Sequence, residues 1–66
     1  MYRNLKAEMA RKNINQKQLA SMTNMSVSGL SLKMNGDTKF TFNDVIAIKK
    51  ALGTELPLEE LFAKEA

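Results

Sequence analysis

The stretch NQKQLASMTNMSVSGLSLKMNG, residues 15–36, decides the fold, because it spells two short helices joined without Gly or Pro, the usual punctuation of a turn. Asn15 is a natural N-cap, Gln18 three residues later completes a capping box, and Ile14 is placed to staple against Leu19. At the joint, SMTNMS, Asn24 is the non-Gly residue best suited to a positive φ, and Ser26 can cap the helix that follows. These cues predict a tight turn between a helix opening at Gln16 and another over about residues 27–35, which Asn35-Gly36 stops.

Working outward, residues 2–12 read as a first helix with Leu5 and Met9 four apart on its inner face and Asn13 as a left-handed stop. GDTK, residues 36–39, is a loop. Thr41 caps a fourth helix, with Asp44 in the capping-box position and Phe40 stapled to Val45; Gly53 ends it after Leu52. Pro57 at N1 opens a short fifth helix that presents Leu58, Leu61 and Phe62 on one face. Met9, Met22, Met25 and Met34 read as gap-filling core. With no strand flanked by hairpin turns, no repeat and no linker, the expectation is an all-α, five-helix domain spanning residues 1–66.

A chain of 66 residues buries only about 60% of the surface its unfolded form exposes, so its core is small. It contains no Cys and no His, which removes disulfides, thiolate nucleophiles, imidazole bases and nearly all structural zinc chemistry. No apolar run approaches the roughly 20 residues of a membrane span, and the start MYRNLKAEMARK lacks a signal-peptide core; a cytoplasmic location is expected. Nine basic side chains stand against three acids before Ala51, and one against four from there on, for a net +3. A basic body can face a polyanion while the acidic end turns elsewhere.

On a wheel at about 100° per residue, Leu30 and Met34, with Val27 beside them, form the inward arc of the third helix. Ser28, Gly29, Leu32 and Lys33 form the opposite arc. An idle wet helix more typically carries Glu, Lys and Gln in paired positions. Here residues 27–35 hold no acid, and Ser28 and Leu32 stand one turn apart among small side chains. Such a face suits the major groove of B-DNA, where hydroxyls meet base edges and an aliphatic group meets the thymine methyl. Gln16 and the free amides around it, opening the preceding helix, are placed to meet a phosphate. Residues 16–35 therefore read as a helix-turn-helix with the later helix as reader.

Residues 15–36 resemble the lambda-repressor/Cro-like helix-turn-helix family, in which Gln opens the second helix, Leu-Ala forms its core and Asn-Gly closes the third. LSLKMNGDTKFTFNDV, residues 30–45, further resembles a phage-associated branch, and ALGTELPLEELF, residues 51–62, is similar to the family's last two helices. The resemblance implies phosphate contact by Gln16 and base reading by Val27, Ser28 and Leu32. It also implies that Lys33, Asn35 and Lys39 meet the sugar-phosphate backbone. Departures are Asn13 and Asn24 in place of the family's usual Gly, and Leu32 and Met34 where many members carry polar or charged residues. The asparagines preserve the turn chemistry; Leu32 offers only methyl recognition.

The implied function is sequence-specific binding of double-stranded DNA as a phage or prophage transcription regulator, a repressor or Cro-like protein. It would act as a homodimer on a palindromic operator, through Leu58, Leu61 and Phe62, with no cofactor, metal, small-molecule ligand or membrane. The competing reading is a small protein-interaction module using that same Leu58/Leu61/Phe62 face. Catalysis is not expected, because Glu8, Asp37 and Asp44 show no spacing with a nucleophile, a metal ligand or a glycine-rich phosphate loop.

Overall fold

In the computed structural model, which describes residues 2–64, five helices succeed one another: α1 Arg3–Arg11, α2 Gln16–Met22, α3 Val27–Met34, α4 Phe42–Leu52 and α5 Leu58–Leu61. Among the described residues there is no strand. α1 and α3 are each slightly shorter than the sequence suggests, since Tyr2, Lys12 and Asn35 act as caps. Pro57 is the N-cap of α5, with extended ψ of 153°, and so stands one position before the N1 place expected for it.

Three helix ends use one device. After α1, Asn13 adopts φ 57° while its N–H donates to the Ala10 carbonyl at 3.1 Å and that of Ile14 donates to Met9 at 2.9 Å. After α2, Asn24 adopts φ 59°, with Met25 donating to Ala20 at 2.8 Å. After α3, Gly36 takes φ 86° and Asp37 donates to Leu32 at 2.9 Å. This is the Schellman arrangement, in which a left-handed residue turns the chain back so that two orphan carbonyls gain partners. Asparagine serves at two of the three because its short polar side chain tolerates that conformation.

Helix starts are equally local. Asn15 Oδ1 accepts from the Gln18 amide at 2.7 Å while Gln18 Oε1 accepts from the Asn15 amide at 2.9 Å. Thr41 and Asp44 repeat the reciprocal box at α4, and Ser26 Oγ accepts from Gly29 N at 3.0 Å at α3. Each such cap contributes about 1 kcal/mol.

The core takes side chains from every helix: Leu5 and Met9, Leu19 and Ala20, Leu30 and Met34, Ile48 and Leu52, and Leu61, with Tyr2 joining them. Ile14, Met25, Phe40 and Phe62 pack around it. α2 packs against both α3 and α4, while α5 packs against α1 and α4. Thus α2 bridges α3 and α4, and α5 bridges α1 and α4. Met22, expected in the core, is 53% exposed: it lies in the last turn of α2, beyond its neighbours' cover.

A buried polar tie joins the two ends of the chain. Thr54 Oγ1 donates to Glu8 Oε1 at 2.7 Å and accepts from the Leu56 amide at 3.2 Å, and Arg11 Nη1 donates to Glu8 Oε2 at 2.9 Å. The Thr54 hydrogen bond holds the Glu8 carboxyl below its ordinary value; burial opposes this and Arg11 adds to it. A carboxylate left without those partners at that depth would be costly.

Candidate nucleic-acid interface

The joint between α2 and α3 is four residues long, Thr23 to Ser26. Thr23 Oγ1 donates back to the Leu19 carbonyl at 2.8 Å, Asn24 reverses the chain, Met25 packs toward the core and Ser26 starts α3. Each residue has a separate task, so neither Gly nor Pro is needed. The exit direction of α3 is fixed by this turn and by Leu30, fully buried, and Met34, 3% exposed.

The opposite face of α3 is wet. Ser28 is exposed, Leu32 is 46% exposed and Val27 is 47% exposed. The position of Val27 corrects the helical wheel, which set it beside the inward residues. At N1, in the first turn, it projects past the end of the packed interface and is presented with Ser28 instead. Gly29 leaves room for the cap, since a Cβ there would lie 2.8 Å from Ser26 Oγ.

Lys33 behaves differently from what the resemblance implies. Its Nζ donates to Asp44 Oδ2 at 2.5 Å, with both side chains largely covered, so the ammonium is engaged inside the chain and is not a free phosphate ligand. Burial alone would raise the Asp44 pKa, but the Lys33 hydrogen bond and those from the Thr41 amide and hydroxyl hold it net below its ordinary value. The pair clamps the end of α3 to the start of α4, and with it the loop between them. Lys39 and Asn35 on that loop are exposed, and Gln16 is half-buried at N1 of α2. In a helix, the amides of N1 and N2, here Gln16 and Lys17, have no partner within the helix and are open to an anion.

The C-terminal face expected to be uncovered is mostly taken. Leu61 is fully buried in the chain's own core, so the expectation that it serves an interface is corrected. Phe62 is half-buried in a three-ring cluster, edge to face with Phe40 at 5.0 Å and with Tyr2 at 6.2 Å. Tyr2 and Phe40 stand 5.1 Å apart. Leu58 is also half-buried. These contacts remove the broad apolar stripe on which the interaction-module reading rested. Among the described residues the most exposed large apolar side chain is instead Phe42, at 74%, at the first position of α4. Its i+3 and i+4 neighbours, Val45 and Ile46, are only half-buried, so this arc of α4 faces away from the core.

Among the described residues no group of acidic side chains could hold a metal ion, and no helix is long and apolar enough to cross a membrane. No curated protein and no solved structure matches the chain. The family model HTH_3, described as Helix-turn-helix, matches residues 5–58, from the core leucine of α1 to the first residue of α5. With five helices and no strand among the described residues, an Asn24 joint and a wet α3, the chain belongs to this helix-turn-helix family of DNA-binding transcription regulators.

Proposed function

We propose that the protein is a sequence-specific repressor or Cro-like regulator that lays α3 in the major groove of double-stranded DNA. Val27, Ser28 and Leu32 face the base edges. Gln16, Asn35 and Lys39 meet the sugar-phosphate backbone, while Lys33 positions the loop that carries Lys39. The observation that supports this reading best is the outer face of α3, which is exposed, free of acids and built of small or aliphatic side chains. An acidic side chain there would repel phosphate at close range; aliphatic groups and hydroxyls tolerate it.

Two copies on one face of the duplex would sit about 34 Å apart, matching a palindromic operator. Leu58, the accessible edge of Phe62, and Phe42 are the apolar groups available for such a contact. The test is fluorescence anisotropy with mixed-sequence duplex at about 50 mM salt, followed by selection of preferred sites. Binding that weakens linearly in log–log form with salt, and a selected site with two inverted halves, is the expected outcome. A folded protein that binds no duplex at low salt would refute the reading, and a non-repeated site would refute the dimer alone.

A further inference from the structure

The reader helix contains unusual chemistry for its task. From Val27 to Met34 the only charged side chain is Lys33, and Asp44 holds it. The helix has no Arg, Asn, Gln, Asp or Glu at any position. These are the side chains that read guanine O6 and N7, adenine N6 and N7, or cytosine N4 by well-directed hydrogen bonds. What remains outward is Val27, Leu32 and the Ser28 hydroxyl, with the half-exposed Ser31 as the one further hydroxyl of the helix.

An aliphatic side chain can recognise only one feature of the major groove, the C5-methyl group. A serine hydroxyl donates or accepts and so pairs with either the thymine O4 or the cytosine amino group. Neither group can tell a methylated cytosine from a thymine. We propose that α3 reads C5-methyl groups themselves, so that 5-methylcytosine in the site is bound as thymine is, while cytosine and uracil are bound weakly. The inference rests on α3 being the DNA reader. It adds that the ligand class is C5-methylated pyrimidine in duplex DNA and that binding responds to cytosine methylation.

Val27 and Leu32 are five residues apart, about 7.5 Å along the helix axis, so each meets its own methyl group. Both leave water when they do. One methyl group removed from such a contact lowers affinity about fourfold.

The full chain is titrated against its selected duplex, in which each thymine in turn is replaced by uracil, by 5-methylcytosine paired with guanine, or by cytosine paired with guanine. At one or two positions of each half-site, uracil and cytosine should each weaken binding about fourfold or more. At those positions 5-methylcytosine should stay within about twofold of thymine. In Leu32→Ala protein, with an unchanged melting temperature, thymine and uracil should become equivalent at one of them; Val27→Ser should do the same at the other. If uracil is bound as well as thymine everywhere, or 5-methylcytosine as poorly as cytosine, methyl reading is overturned while DNA binding stands. If no duplex is bound at all, both readings fall.

Discussion

Lys33 and Asp44 meet at 2.5 Å across eleven residues of chain, joining the last turn of α3 to the capping box that starts α4. One carboxylate thereby accepts from the Lys33 ammonium and from the Thr41 amide. Asp44→Ala removes both bonds and leaves a partly buried ammonium, so it should lower stability by about 1–3 kcal/mol in urea unfolding. Lys33→Gln should cost less and leave the salt slope of DNA binding unchanged. A slope reduced by one unit would place Lys33 on a phosphate.

Lys39, exposed on the loop that this pair fixes, supplies the contrast. Lys39→Gln should flatten the log–log salt slope by roughly 0.9, the share of one neutralised phosphate, with site preference unaltered. Identical slopes for the variant and the parent would remove Lys39 from the interface.

The joint gives a prediction about backbone conformation. Asn24 sits at φ 59°, so Asn24→Gly should be tolerated or mildly stabilising, whereas Asn24→Val forces a β-branched residue into the left-handed region. The valine should lower stability by about 1–3 kcal/mol and weaken DNA binding through the changed exit of α3. Equal melting temperatures for Asn24→Val and the parent would mean that the turn is made without a left-handed residue.

Acid should unfold the protein through Glu8 and Asp44. Both carboxyls are held below their ordinary values of 4.5 and 3.8 in the folded chain. A depressed folded pKa contributes stability that is complete above the unfolded value and is lost as pH falls through the folded one. Stability should therefore be insensitive to these groups near neutrality and should decline below about pH 4. Glu8→Gln should be less stable at pH 7 and show a shallower decline in acid. A parallel decline in variant and parent would mean that Glu8 keeps its ordinary pKa in the folded protein.

Much of this was legible in the sequence wherever the chemistry is local. Asn15 with Gln18 and Thr41 with Asp44 form their reciprocal boxes, and Asn13, Asn24 and Gly53 take positive φ, because a polar side chain or a permissive backbone acts on amides a few residues away. Errors gather where position depends on a distant neighbour. Val27 and Met22 lie in the terminal turns of α3 and α2, where a wheel assumes a covering surface that ends one turn earlier. Leu61 is covered by the core, and Phe62 by rings from Tyr2 and Phe40, two segments remote from it in sequence. The long side chain of Lys33 reaches an acid that also closes the α4 capping box. Glu8 finds Thr54 forty-six residues away, a pairing no spacing rule announces.

Amide chemical-shift mapping of nitrogen-labelled protein titrated with its selected duplex tests whether α3 is the reader. The largest changes should fall on Gln16, Val27, Ser28, Leu32 and Lys39, with smaller ones around Leu58 and Phe62 where two copies would meet. Changes concentrated on α5 and its acidic residues, with Val27 to Leu32 silent, would contradict α3 as the DNA-reading surface.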